Sequence, residues 1–187
     1  MKFFDTDIEG VVVIDPDPIE DDRGFFARTW CAREFEARGL NPNLVQCSTS
    51  FNRQKHTLRG LHYQLPPHAE TKLVRCITGK IYDVAVDLRA GSPTYGKWTA
   101  AVLSAENRHI LYIPEGCAHG FQTLVRNCEV FYQISAFYTP DAARGMRWDD
   151  PDIGIDWPEC RKPITSERDR YFPSLADITP VEVKKAA

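Results

Sequence analysis

Three stretches of the chain carry side chains that can move or hold protons. The first is Thr57-Leu58-Arg59-Gly60-Leu61-His62-Tyr63-Gln64. An imidazole can take a proton near neutral pH, and a guanidinium fork suits phosphate or carboxylate. On a strand, Leu58, Gly60, His62 and Gln64 share one face and Arg59, Leu61 and Tyr63 the other, unless a bulge at Gly60 re-aims them. Gly60 is expected to leave open space beside His62, where a ligand could approach the ring. The same octapeptide also fits a buried structural histidine beside a surface arginine, and alone it leaves both readings open.

The second stretch is Glu70-Thr71-Lys72-Leu73-Val74-Arg75. Lys72 reads either as an ordinary edge lysine or as a cation that stabilises a developing oxyanion. The third, Tyr112-Ile113-Pro114-Glu115-Gly116-Cys117-Ala118-His119-Gly120-Phe121, sets a histidine just after a Pro-x-Gly turn. This resembles a histidine-bearing stretch of cupin barrels. In metal cupins the partner stretch is His-x-His followed by Glu, and here Gly60 stands where the paired histidine is needed. His62 and His119 alone are too few ligands for zinc or non-haem iron, so no metal is expected. Tyr132 could donate a proton and Tyr138 could stack on a base; both read equally well as packing residues. Asp169, in Ser166-Glu167-Arg168-Asp169-Arg170, could orient a histidine or belong to a solvated charge run.

The elements that must position these groups are mostly strands. Val11–Ile14 and Gly24–Trp30 read as strands, and Cys31–Arg38 as a helix stopped by Gly39. Further strands are predicted over 43–52, 57–64, 71–77, 80–88, 97–103, 109–113, 119–125 and 128–137, punctuated by Gly and Pro turns. Short strands at this spacing predict an all-β sandwich or barrel. In 80–88, Tyr82, Val84, Val86 and Leu88 should meet a core, while Ile81, Asp83, Ala85 and Asp87 face solvent or a polar cavity. After residue 140 the pattern loosens into turns and short helices, with 176–187 a peripheral tail.

The chain has 187 residues, 43% apolar and 26% charged, which fits one globular domain spanning 1–187 and excludes disorder and coiled coil. A net charge of −3 offers no global field for nucleic acid or an anionic membrane. There is no run long enough for a membrane-spanning helix and no apolar signal core at the N-terminus. The six cysteines lack any CxxC pair, so free thiols in a reducing cytoplasm are expected.

Taken together, Asp22-Arg23-Gly24-Phe25-Phe26, LRGLHYQ (58–64), KLV (72–74), DVAVDLR (83–89), SPTYG (92–96), IPEGCAHGF (113–121), the Tyr132/Tyr138 pair, WDDP (148–151) and SERD (166–169) resemble the dTDP-4-dehydrorhamnose 3,5-epimerase family. The resemblance covers about residues 8–175, and it is their joint match that is specific. It implies a cupin-type β-jelly-roll with a few short peripheral helices, a strand-exchanging homodimer, a nucleotide-sugar substrate, and action without metal or organic cofactor. It also implies roles. His62, oriented by Asp169, removes a proton α to a C4 ketone, and Tyr132 returns one on the other face. Lys72 stabilises the enolate oxygen. Arg59 and His119 hold the substrate near its diphosphate. Arg23 and Gln46 contact the nucleotide, Arg23 across a subunit boundary, and Tyr138 stacks on the base.

Four positions of the implied ligand shell depart from the family pattern: Arg28 stands for Glu, Ser48 for Asn, Ala143 for Glu and Arg168 for Lys. Proton chemistry with altered recognition is the expectation: a 3,5-epimerase of a dTDP-linked 4-keto-6-deoxy sugar, or alternatively a 3- or 5-monoepimerase, or an enzyme taking a GDP- or CDP-linked sugar.

Overall fold

The computed structural model describes residues 1–158 and 162–183. Among the described residues thirteen strands dominate: β1 (Lys2–Asp5), β2 (Val12–Asp15), β3 (Ile19–Asp21), β4 (Gly24–Phe26), β5 (Gln46–Asn52), β6 (Leu58–Gln64), β7 (Lys72–Thr78), β8 (Lys80–Asp87), β9 (Trp98–Ser104), β10 (Ile110–Ile113), β11 (Cys117–Thr123), β12 (Cys128–Ile134) and β13 (Ala143–Gly145). Helix α1 (Ala32–Glu36) and helix α2 (Glu167–Arg170) are short. The strands form a six-stranded sheet, β1-β2-β10-β7-β12-β5, a five-stranded sheet, β13-β6-β11-β8-β9, and a separate β3-β4 ribbon. The strand spacing predicts a sandwich or barrel, and the fold is the cupin-like jelly roll that the resemblance implies.

The two sheets close on a shared core. Val74 and Cys76 of β7, Leu111 and Ile113 of β10 and Val130 of β12 meet Ile81 and Ala85 of β8, Leu103 of β9 and Phe121 of β11. Asp83 points the same way as Ile81 and Ala85 and is wholly buried. The opposite face of β8 is buried too. Val84, Val86 and Leu88 pack under Met146, Ile153, Ile178 and Val181, so the chain after residue 140 is a cover for the outer face of the sheet. The tail is tied in by backbone bonds from Val181 to Leu88 and from Ala90 to Val181.

Several boundaries differ from the sequence pattern. The strand expected to run to Trp30 ends at Phe26, because β4 pairs with β3 alone. β1 and β13 carry no alternation strong enough to predict, being four and three residues long; pairing with β2 and β6 forms them. Helix α1 is shorter than the predicted 31–38, but it buries Phe35 fully and the chain turns at Gly39 with φ +69°. Cys31, Cys47, Cys76, Cys117 and Cys128 are free thiols; Cys160 lies outside the described residues. Among the described residues no helix is long and apolar enough to cross a membrane.

Candidate active site

The sheets part at one end of the sandwich and enclose a cavity of about 300 Å³. The six-stranded sheet contributes Ser48 and Ser50 from β5, Lys72 from β7 and Tyr132 from β12. The facing sheet contributes Arg59, His62 and Gln64 from β6 and His119 from β11.

Strict alternation would put Arg59 and His62 on opposite faces of β6. A bulge prevents this. His62 pairs with His119 and Arg59 with Phe121, so Gly60 and Leu61 together oppose the single residue Gly120. Both functional side chains therefore reach the cavity. Gly60 does not open space beside His62, contrary to the sequence expectation. A Cβ there would lie 2.5 Å from Gly120 Cα and 2.9 Å from the His119 carbonyl, and Gly60 has φ +127°. The glycine permits close strand approach in a backbone conformation other residues avoid.

His62 Nε2 lies 2.9 Å from Asp169 Oδ1, and the Gly60 N–H donates to Asp169 Oδ2 at 3.2 Å. Helix α2 presents the carboxylate, and its N-cap Ser166 accepts from the Asp169 N–H. Burial pushes the Asp169 carboxyl up, but the His62 contact and the Gly60 bond outweigh it and hold the group below the usual carboxylate range. An ionised carboxylate can only accept, so Nε2 of His62 carries the hydrogen and Nδ1 is the free base nitrogen. The His62 side chain is 42% exposed, open to a ligand, while Asp169 is 5% exposed behind it.

His119 is held differently. Its Nε2 lies 2.8 Å from Asp83 Oδ1, with both side chains buried. Burial pushes the Asp83 carboxyl up, and His119 pulls it partly back. Lys72 begins β7, an interior strand of its sheet, so it is no edge lysine. It is buried, donates to the His62 carbonyl at 3.0 Å and pairs with Glu70 at 3.0 Å. Of its three N–H donors, one is left for a ligand. Tyr132 packs edge-on against His119, with ring centroids 6.2 Å apart. Burial pushes its phenol well above the ordinary value, against smaller pulls from Ser50 and Arg59. An imidazole from one sheet, and a protonated phenol and Lys72 from neighbouring strands of the other, thus line one cavity.

The remaining expected residues divide. Arg168 and Tyr138 line the cavity, and Gln46 Oε1 accepts from the Tyr138 N–H at 3.1 Å, fixing that segment at the mouth. Ala143 lines it as well. Arg23 does not line it in the single chain: it stands on the β3–β4 turn, 89% exposed and paired with Asp21. Arg28 is also outside, paired with Glu34 at 2.9 Å on α1. Sequence reasoning missed Ser50, Glu70 and Arg144 as lining residues and the contact between Asp83 and His119. Asp83 had a partial signal, its place on the face of β8 expected to meet solvent or a polar cavity. Ser50 had the period-two relation to Ser48. Glu70 and Arg144 had none. Among the described residues, no group of three or more His, Cys, Asp or Glu side chains is placed to hold a metal ion.

Comparison with known proteins places this geometry. The family model for dTDP-4-dehydrorhamnose 3,5-epimerase matches residues 5–177. The chain is 44% identical over 178 residues to dTDP-4-dehydrorhamnose 3,5-epimerase of Sinorhizobium fredii, covering 95% of this chain and 91% of that protein. It superposes with TM-score 0.91 and 35% identity on a Legionella pneumophila dTDP-6-deoxy-D-glucose-3,5-epimerase in complex with dTDP-4-keto-L-rhamnose, covering 99% of both chains. A 3'-monoepimerase from Streptomyces bikiniensis in complex with dTDP-quinovose also matches, with TM-score 0.85 and 32% identity, covering 91% of this chain and 86% of that one.

Proposed function

The chain belongs to the dTDP-4-dehydrorhamnose 3,5-epimerase family, and from that premise we propose that its cavity inverts C3 and C5 of a dTDP-linked 4-keto-6-deoxy sugar. The observation that carries this is the two-sided placement of His62 and Tyr132 on facing sheets of one cavity. A C–H beside a ketone yields to an imidazole when the enolate oxygen is stabilised in place. His62 Nδ1 takes the proton, Asp169 holds the ring, and the remaining N–H of Lys72 meets the oxygen. Return of a proton from the same side would restore the starting sugar. Inversion needs an acid on the opposite face, and Tyr132 supplies it. Arg59 and Arg168 give the cavity the positive character that a diphosphate needs, although the whole chain carries −3. Tyr138, steadied by Gln46, offers a ring for the base at the mouth, and Ser48 a hydroxyl.

The working unit in this reading is a cytoplasmic homodimer with exchanged strands. The β3–β4 ribbon supports it: Ile19 and Phe26 are 73% and 74% exposed beside Arg23, a surface suited to cover by a second copy that receives Arg23 in its own cavity. Sedimentation should give twice the chain mass.

Inversion at one carbon is the second reading, favoured by the match to a 3'-monoepimerase and by Ala143 in place of the expected Glu. Product NMR in heavy water with dTDP-4-keto-6-deoxyglucose decides. Deuterium at both C3 and C5 with the rhamno configuration supports the first reading, and inversion at C3 alone the second. A thermal-shift panel of dTDP, CDP, GDP and UDP reads the nucleotide, since a bound ligand raises apparent stability.

A further inference from the structure

A hydrogen-bonded chain runs from Arg59 to Tyr132 along the cavity wall, through the buried Asn52. Arg59 Nε donates to Asn52 Oδ1 at 2.7 Å. Asn52 Nδ2 lies 3.4 Å from Ser50 Oγ and 3.3 Å from the Cys128 carbonyl. Ser50 Oγ lies 3.3 Å from Tyr132 Oη. Asn52 is buried, and Ser50 shares its face of β5 two residues away.

The orientation of the Asn52 amide follows from Arg59. A guanidinium has donors and no acceptor, so the oxygen of Asn52 must face Arg59 and its NH₂ must face Ser50 and Cys128. Ser50 Oγ then receives a hydrogen from Asn52; its contact with Tyr132 Oη admits either oxygen as donor, and the polarity that serves the reaction is the one in which Ser50 donates to Tyr132. Tyr132 is left with its hydrogen directed into the cavity. In the reverse polarity Tyr132 would donate to Ser50, and its hydrogen would be turned away from any substrate.

We propose that Ser50 and Asn52 are positioning residues that aim the acid hydrogen of Tyr132 at the substrate carbon, in a chain anchored at Arg59 in which Ser50 donates to Tyr132. The inference rests on the epimerase reading above, in which Tyr132 is the acid. In the step concerned, the Tyr132 O–H bond breaks and a C–H bond forms from the enolate π pair. The phenolate left behind accepts the hydrogen bond from Ser50 and is reprotonated by water. Ser50 therefore serves before and after transfer with no change of its own donor direction.

The test is exchange against inversion in heavy water with dTDP-4-keto-6-deoxyglucose. In Ser50→Ala, solvent deuterium uptake at the sugar, which runs through His62, Asp169 and Lys72 and not through Ser50, should stay near the unsubstituted rate, while inverted product falls roughly tenfold or more. Ser50→Thr should restore inversion. Asn52→Asp keeps the shape but replaces NH₂ with an acceptor, so Ser50 must turn its hydrogen to Asp and Tyr132 must turn its own to Ser50. It should show the same split, and it carries the test should Ser50→Ala fail to fold. Equal loss of uptake and inversion in both variants, or inversion unchanged in both, overturns the proposal. Absence of uptake in the unsubstituted protein is a different failure and strikes the epimerase reading itself.

Discussion

His62 and His119 stand opposite each other on the β6–β11 ladder, and each gives Nε2 to a different carboxylate, Asp169 at 2.9 Å and Asp83 at 2.8 Å. Their surroundings separate their work. The His62 side chain is 42% exposed and has a ring nitrogen free for a ligand, while that of His119 is 5% exposed. One ring is equipped to exchange a proton, and the other is locked in place as part of the wall.

Asp169→Asn should lower deuterium uptake about 100-fold, because an amide no longer selects the tautomer with a bare Nδ1. His62→Ala should abolish uptake, and unchanged uptake there would remove the base from His62. The pair also has an acid limb. The Asp169 carboxyl is depressed in the folded chain, so its contribution to stability is complete above the ordinary carboxylate value of about 4. It is lost as pH falls through the lower folded value. Asp169→Asn should therefore flatten the fall of urea midpoint with acidification below about pH 4.

His119→Ala should destabilise the fold by about 3 kcal/mol, since it strands a fully buried Asp83 whose Oδ2 already has no hydrogen-bond partner. The double change Asp83→Leu with His119→Phe, apolar on both sides, should cost less than His119→Ala alone. Urea denaturation measures both. A larger loss in the double variant would show that the pair is not held as a buried polar unit.

Tyr132→Phe should cut inverted product more than deuterium uptake, because the first proton can still leave. Equal loss of both would argue against Tyr132 as the acid. Burial raises the Tyr132 phenol above its ordinary value of about 10. The protonated form that donates is therefore kept through neutral and moderately alkaline pH, and inversion should show no fall due to Tyr132 below about pH 10. An exposed tyrosine acid would begin to fail within that range.

Much of this site was legible in the chain because strand alternation is local. Asp83 lies on the face of β8 expected to meet solvent or a polar cavity and there meets His119, although Ile81 and Ala85 of the same face join the core; His62, Lys72, Tyr132 and Asp169 carry a joint family pattern. What was hidden is tertiary. Nothing in Glu70 signals that it will neutralise Lys72 from two residues away on the strand entry. Nor does any local pattern show that an asparagine at 52 will link Arg59 to Ser50. The placement of Arg59 beside His62 depends on a bulge that alternation alone misassigns. Arg23 and Arg28 illustrate the opposite case: the resemblance assigns them to a ligand, but the β3–β4 turn that bears Arg23 and the segment after β4 that bears Arg28 lie outside the cavity of the single chain.

Gly60→Ala tests that bulge. The added Cβ would lie 2.5 Å from Gly120 Cα, backbone that cannot swing away, and the residue would have to hold φ +127°. Gly120→Ala probes the same crowding from the other strand, 2.7 Å from the Arg59 carbonyl, without a positive φ. Gly60→Ala should therefore be the worse of the two, losing at least about 2 kcal/mol through strain and overpacking together. It should also lose activity out of proportion to stability. The Gly60 N–H that binds Asp169 and the register that sets Arg59 and His62 on one cavity both pass through this residue. Comparing urea midpoints with deuterium uptake at a temperature where both variants stay folded separates the effects. If Gly60→Ala matched Gly120→Ala in both measurements, the left-handed conformation at Gly60 would not be what brings the two side chains together.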